Sequence, residues 1–169
     1  MAREGEVENA KPRAHMLFVY GTLKRGFPNY GLMEDLIGED DAVFVGTFYT
    51  EQPYPLVCGP HGIPYLINLP GKGHRVKGEV YAVSDAAVAR LDEFEGVSGG
   101  YYERVAVVVE EGGEKVEAEA YFGHRRFGEV LWKMKGEMGL KEYGENEASE
   151  YVRKGDRLGG RNTILDLVS

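Results

Sequence analysis

Cysteine is nearly absent: Cys58 is the only one in 169 residues. That excludes an internal disulfide framework and agrees with a reducing compartment. No apolar run approaches the roughly 20 residues that a membrane-spanning helix needs. Basic residues are outnumbered, 20 Lys and Arg against 28 Asp and Glu, which leaves a net charge of -8. A broad nucleic-acid surface needs clustered Lys and Arg, so that class is set aside. His15, His61, His74 and His124 are scattered without paired ligand spacing, and Cys58 has no CxxC partner. No zinc or other metal site is expected. Cys58 near His61 is a weak candidate for a thiol nucleophile, because no activating helix N-terminus or base is evident. The polar, acidic start of the chain matches neither a secretory signal nor an Arg-rich transit peptide, so the expected location is cytoplasmic.

What is present is a globular composition, 43% hydrophobic with 11% aromatic residues, at a length that suits one core. Residues 1–14 read as a flexible lead-in, 15–128 as the domain, and 129–169 as a helical or irregular C-terminal extension. Met16-Leu17-Phe18-Val19-Tyr20 reads as a buried strand. Further strands are expected at 42–49, 55–58, 64–69 and 76–83, separated by Pro- and Gly-rich turns. A hairpin is expected from 101–110 to 115–122 over Gly112-Gly113. Short helices are expected at 29–36, with Asn29 as N-cap, and within 129–138. A longer helix runs from 84 to 95. The sum is an α+β fold, mainly β: a small barrel-like, curved mixed sheet with flanking helices.

Two local patterns carry possible chemistry. The first strand runs into Tyr20-Gly21-Thr22-Leu23-Lys24-Arg25-Gly26. A glycine turn lets backbone N–H groups converge on an anion or a developing oxyanion; an ordinary tight turn also fits. It is not a phosphate-binding P-loop, because Phe27 and Pro28 stand where Lys and Ser or Thr are required. Lys24-Arg25 reads as surface charge.

The second pattern is the helix Ser84 to Gly96, capped by Ser84 or Asp85 and stopped by Gly96. At 100° per residue, Ala87, Val88, Leu91 and Phe94 share one arc, and Glu95 falls inside it while Glu93 points to solvent. Desolvation and the negative end of the helix dipole both raise the pKa of such a carboxylate, which suits a general base. Two other readings remain open: a frayed last turn that leaves Glu95 in water, or an ion pair with Arg104. Tyr54, Tyr101 and Tyr102 either line a pocket or are buried tyrosines with one hydrogen bond each. Its flanking prolines make Tyr54-Pro55 a candidate cis bond.

Together, Val19-Tyr20-Gly21-Thr22-Leu23-Lys24-Arg25-Gly26, Gly78-Glu79-Val80-Tyr81, Leu91-Asp92-Glu93-Phe94-Glu95-Gly96 and Tyr101-Tyr102-Glu103-Arg104 resemble the γ-glutamyl cyclotransferase, or AIG2-like, family. The resemblance keeps order and spacing from residue 16 to residue 122. Pro53-Tyr54-Pro55-Leu56-Val57 and Leu69-Pro70-Gly71 are most similar to the γ-glutamylamine cyclotransferase branch, which acts on γ-glutamyl-ε-lysine. The resemblance implies a barrel-like fold around a small cavity, with Glu95 as catalytic carboxylate. It implies that Tyr20, Gly21, Thr22 and Leu23 bind the γ-glutamyl group through backbone atoms; Tyr54, Tyr101 and Tyr102 are further candidates for substrate contact. The expected partner is a small γ-glutamyl substrate, with no cofactor, nucleic acid or membrane; the oligomeric state is unreadable. Residues 129–169 do not align with the γ-glutamylamine branch, and either cover the cavity or bind something else. Rival readings are a non-catalytic binding module of the same fold, or action on γ-glutamyl amino acids or glutathione.

Overall fold

A computed structural model describes residues 12–157 and Ile164. Its strands are β1 (His15–Val19), β2 (Ala42–Thr50), β3 (Leu56–Cys58), β4 (Pro64–Leu66), β5 (Lys77–Val83), β6 (Tyr102–Glu111) and β7 (Glu114–Gly123). Its α-helices are α1 (Tyr30–Gly38), α2 (Asp85–Glu95), α3 (Arg125–Met134) and α4 (Glu145–Ala148). The sheet order is β1-β5-β2-β6-β7-β4-β3, and β7 also pairs with β1. That extra pairing closes five strands into a ring, with β4 and β3 continuing from it. β7 pairs in parallel with β1 and β4, and the other neighbours are antiparallel. The expected barrel-like mixed sheet with flanking helices is therefore what forms.

Alternation along the strands divides the core in two. Leu17, Val19 and Val83 pack with Met33 and Leu36 of α1, Ala87, Val88 and Leu91 of α2, and Phe127 and Leu131 of α3. Phe18, Tyr20, Val80, Val107, Val109, Ala118, Ala120 and Phe122 form a second cluster containing no buried residue of those helices. The β6–β7 hairpin turns at Gly112 and Gly113, with φ of 57° and 86°. Two successive positive φ values give the turn whose twist matches antiparallel strands.

The ring has a seam where the site lies. Leu17 of β1 is in register with Glu119 of β7, but three residues on, Phe122 pairs with Leu66 of β4 instead. The Tyr20 side chain spans this change of partner. Its hydroxyl donates to the Tyr121 carbonyl at 2.6 Å and accepts the Leu66 N–H at 3.2 Å. A buried phenol thus satisfies two backbone groups between the diverging strands.

Several expectations are corrected. Asn29 precedes α1 but makes no side-chain cap; its amide donates instead to Thr22 Oγ1 and the Tyr151 hydroxyl. α3 starts at Arg125, before the expected 129, because His124 acts as N-cap and accepts the Arg126 N–H. No cis peptide bond occurs among the described residues, so Tyr54-Pro55 is trans. Lys24 is buried: its Nζ donates to the Tyr143 carbonyl at 2.6 Å and lies 4.4 Å from the centre of the Phe27 ring. Burial pushes its pKa down. Arg25 keeps a partly exposed position, paired with Glu79 and stacked on Phe44.

The described residues beyond 128 pack against the sheet and its loops. Leu131, Trp132, Tyr143 and Ile164 are buried. The Tyr143 hydroxyl donates to the Gly62 carbonyl, and the Val152 N–H donates to the His61 carbonyl. Gly62 has a φ of +69°, and an added Cβ would lie 2.7 Å from the Glu150 carbonyl carbon. Gly62→Ala is expected to lower stability by about 1–3 kcal/mol through strain and overlap. It should also reduce any activity that depends on the docked segment; melting and turnover, both unchanged, would show that the close approach is unimportant. The lead-in expected at 1–14 falls outside the described residues over 1–11, as does the Gly159-Gly160-Arg161 tail.

Candidate active site

A cavity of about 220 Å³ opens beside the seam. Its first wall is the loop after β1. Gly21 lies there under Pro64: a Cβ on Gly21 would come within 2.6 Å of the proline Cγ. That proline is held in turn by the Tyr102 hydroxyl, which donates to its carbonyl at 2.8 Å. The turn is closed by the Lys24 N–H, which donates to the Gly21 carbonyl, and the Asn29 N–H, which donates to that of Thr22. The N–H groups of Gly21, Thr22 and Leu23 donate to no described acceptor, so three successive donors remain on the cavity-lining stretch.

The second wall is the end of α2. Ser84 caps its start by accepting the Ala87 N–H, and Gly96 ends it in the left-handed conformation. The Val97 N–H returns to the Asp92 carbonyl at 3.1 Å. This closed C-terminus rules out a frayed last turn. Asp92 fixes the rotation of the helix by accepting Arg104 at 2.9 and 3.2 Å and the Tyr121 hydroxyl at 2.7 Å. Burial opposes the charge of Asp92, but these hydrogen bonds outweigh it and hold its carboxyl below the usual range. Arg104 also donates to Glu119 at 2.9 and 3.0 Å. It is occupied by Asp92 and Glu119 and is not the partner of Glu95.

Glu95 lines the cavity, and no hydrogen bond among the described residues reaches its carboxylate. It keeps some accessible surface, being half-buried, because the cavity is in front of it. Protein atoms enclose it otherwise, and this enclosure controls its titration: burial pushes the carboxyl up to about 8, with Lys154 pulling the other way. Around it, Tyr20 and Tyr102 have pKa values raised well above the ordinary phenol, chiefly by burial. Such phenols stay neutral and act as donors, not bases.

Of the residues singled out by sequence, Tyr20, Gly21, Thr22, Leu23, Glu95, Tyr101 and Tyr102 all line this cavity. Tyr54 does not: it packs edge-on against Phe122 and borders a separate depression with Glu51, Val107 and Glu117. Cys58 is also elsewhere, and burial raises its thiol to about 11, which leaves little thiolate near neutral pH and removes it as a nucleophile. Asn29, Tyr121, Tyr151, Lys154 and Arg157 reach the cavity without having been anticipated. Asn29 read as a helix cap, and the last three fall in a stretch with no periodicity to interpret.

Comparison with known proteins places this arrangement among relatives. Residues 17–143 match the family model described as gamma-glutamyl cyclotransferase, AIG2-like. An Arabidopsis thaliana protein, itself provisionally named a gamma-glutamylcyclotransferase, is 46% identical over 156 residues, covering 84% of this chain and 83% of its own length. The gamma-glutamylaminecyclotransferase of Homo sapiens is 46% identical over 91 residues, 53% of this chain and 59% of that protein. The Bos taurus gamma-glutamylaminecyclotransferase is 49% identical over 89 residues, 52% of each chain. This chain therefore aligns with only about half to three-fifths of those mammalian relatives. A crystal structure of a mouse AIG2-like protein superposes with a TM-score of 0.71 at 36% identity, covering 85% of this chain and 98% of that one.

Proposed function

This chain belongs to the γ-glutamyl cyclotransferase, AIG2-like family, and from that premise we propose that it cyclises the γ-glutamyl group of γ-glutamylamines to 5-oxoproline and releases the free amine. The observation that carries the reading is Glu95: an enclosed carboxylate without a hydrogen-bond partner among the described residues, facing the same cavity as the 21–23 amides. The cavity of about 220 Å³ is below the roughly 300–1,000 Å³ of drug-sized ligand sites, which suits an amino-acid-sized group.

The α-amine of the γ-glutamyl group attacks its own γ-carbonyl carbon. A C–N bond forms, and the carbonyl π-electrons move to oxygen. Glu95 takes the proton that the amine sheds, since an amine with a reference pKa near 8 is mostly protonated at neutral pH. The N–H groups of Gly21, Thr22 and Leu23 receive the oxyanion, a contact worth roughly 3–4 kcal/mol per donor. When the tetrahedral intermediate collapses, the original amide C–N bond breaks and Glu95 returns its proton to the departing nitrogen. Nucleophile and electrophile belong to one molecule, so holding the folded conformer supplies much of the remaining acceleration.

The test is to incubate the protein separately with γ-glutamyl-ε-lysine, γ-glutamyl-alanine and glutathione, following 5-oxoproline by mass spectrometry. Release from γ-glutamyl-ε-lysine is expected. Binding of all three without release would instead favour a binding protein of the same fold. Turnover should climb with pH through a limb near 8, shared by Glu95 and the substrate amine. A rate that is flat between about pH 6 and 9 would count against a carboxylate base with this titration.

A further inference from the structure

Arg157 is 8% exposed and lines the cavity that Glu95 faces. Its Nε donates to the Val152 carbonyl at 2.9 Å and one terminal nitrogen donates to the Tyr151 hydroxyl at 3.3 Å. A guanidinium has five N–H donors in a rigid fork, and the described residues take up only two of them. Among the described residues no carboxylate pairs with it. A buried cation without a counter-ion is disfavoured in any fold. Placed on a cavity wall, it is a receiver for an anion that arrives with the ligand. Lys154 stands on the same wall, exposed, with its Nζ 3.4 Å from the Phe94 carbonyl. Among the described residues, Glu95 is the only acidic side chain lining the cavity.

Two carboxylates could meet this wall: the one on the γ-glutamyl half, or one on the amine half. The γ-glutamyl half is common to every γ-glutamyl substrate, and the amine half is what varies. The family match ends at residue 143, and Tyr151, Lys154 and Arg157 all lie beyond it. Residues outside the shared stretch are suited to the half that differs. The N–H groups at 21–23, which donate to no described acceptor, already offer the γ-glutamyl half its donors. We propose that Arg157, oriented by Tyr151 and assisted by Lys154, is a specificity-determining residue that takes a carboxylate on the amine half. Amino-acid amines are thereby selected over simple or cationic amines. The inference rests on the cyclotransferase reading above.

γ-Glutamyl-ε-lysine and γ-glutamylcadaverine differ only by that carboxylate, so kcat/KM for the two isolates its contribution. The unaltered protein should prefer the lysine derivative by roughly 10–100-fold, the discrimination expected of a charged hydrogen bond. Arg157→Gln should bring the ratio close to one, and Arg157→Lys should restore part of it. Inhibition of the unaltered protein by free lysine against free cadaverine repeats the comparison without any substitution, and so independently of folding; lysine should bind more tightly. Equal rates and equal inhibition in the unaltered protein would overturn the inference alone. So would an equal fall on both substrates in Arg157→Gln, which would assign Arg157 to the γ-glutamyl carboxylate. Turnover of neither substrate would overturn the cyclotransferase reading, and this inference with it.

Discussion

Glu95→Gln is expected to lower turnover of a γ-glutamyl substrate by about 10²–10⁴-fold, the usual contribution of a positioned acid–base group. Glutamine keeps the size and hydrogen-bonding outline of the side chain but cannot accept the proton of the attacking amine. The helix that presents it is fixed elsewhere, by the Ser84 cap, the left-handed Gly96 and the Asp92–Arg104 pair. Loss of rate should therefore appear in kcat, with KM nearly unchanged, because the loop 21–23 and the aromatic walls remain. Steady-state kinetics beside circular dichroism make the measurement. A folded variant within about tenfold of the parent rate would remove Glu95 from the chemistry.

The same substitution should stabilise the fold, and more so as pH rises. In the unfolded chain the Glu95 carboxyl titrates near 4.5, whereas in the folded protein burial raises it to about 8. Between these values the unfolded chain gives up its proton and the folded one keeps it. Stability is thus highest below the lower value, falls as pH rises across the window, and has lost the full amount above the upper value. At about 1.36 kcal/mol per pKa unit the whole shift sets an upper bound near 5 kcal/mol. The carboxylate is only half-buried, so solvent screening reduces this, and a gain on the order of 2 kcal/mol at pH 8 is the working figure. At this chain length that corresponds to roughly 4–8 °C in Tm. Melting the parent and Glu95→Gln at about pH 5 and pH 8 should give curves that nearly coincide at the lower pH and separate at the higher. The same separation at both pH values would mean that packing, not ionisation, distinguishes the two proteins. An activity lost and a stability gained at one residue is the pattern of a group held in an unfavourable environment for function.

Elements whose signals are local were legible in advance. The β6–β7 hairpin follows from two glycines between alternating runs, and α2 from a serine cap, an apolar arc and a terminal glycine. Where the chain departs from the usual cap residues, as with His124 before α3, the boundary was missed. Lys24 reads as a surface charge because a lysine followed by an arginine ordinarily is one. Only the distant Tyr143 carbonyl and the Phe27 ring make its burial tolerable.

By itself, then, the sequence determined which side of α2 Glu95 takes, since helical period and capping act over a few residues. It likewise determined that a glycine turn follows the first strand. Tertiary structure alone decided what those features meet. The parallel contact of β1 with β7, between Leu17 and Glu119, closes the ring and creates the seam that Tyr20 bridges. The hydrogen bonds of Arg104 with Asp92 and Glu119 occupy the cation that Glu95 would otherwise compete for. The docking of residues 143–157 on the Gly62 loop brings Tyr151 and Arg157 to the cavity, while Tyr54 is carried to another face. Such meetings depend on ladder register and packing between residues far apart in the chain, and no local preference encodes them.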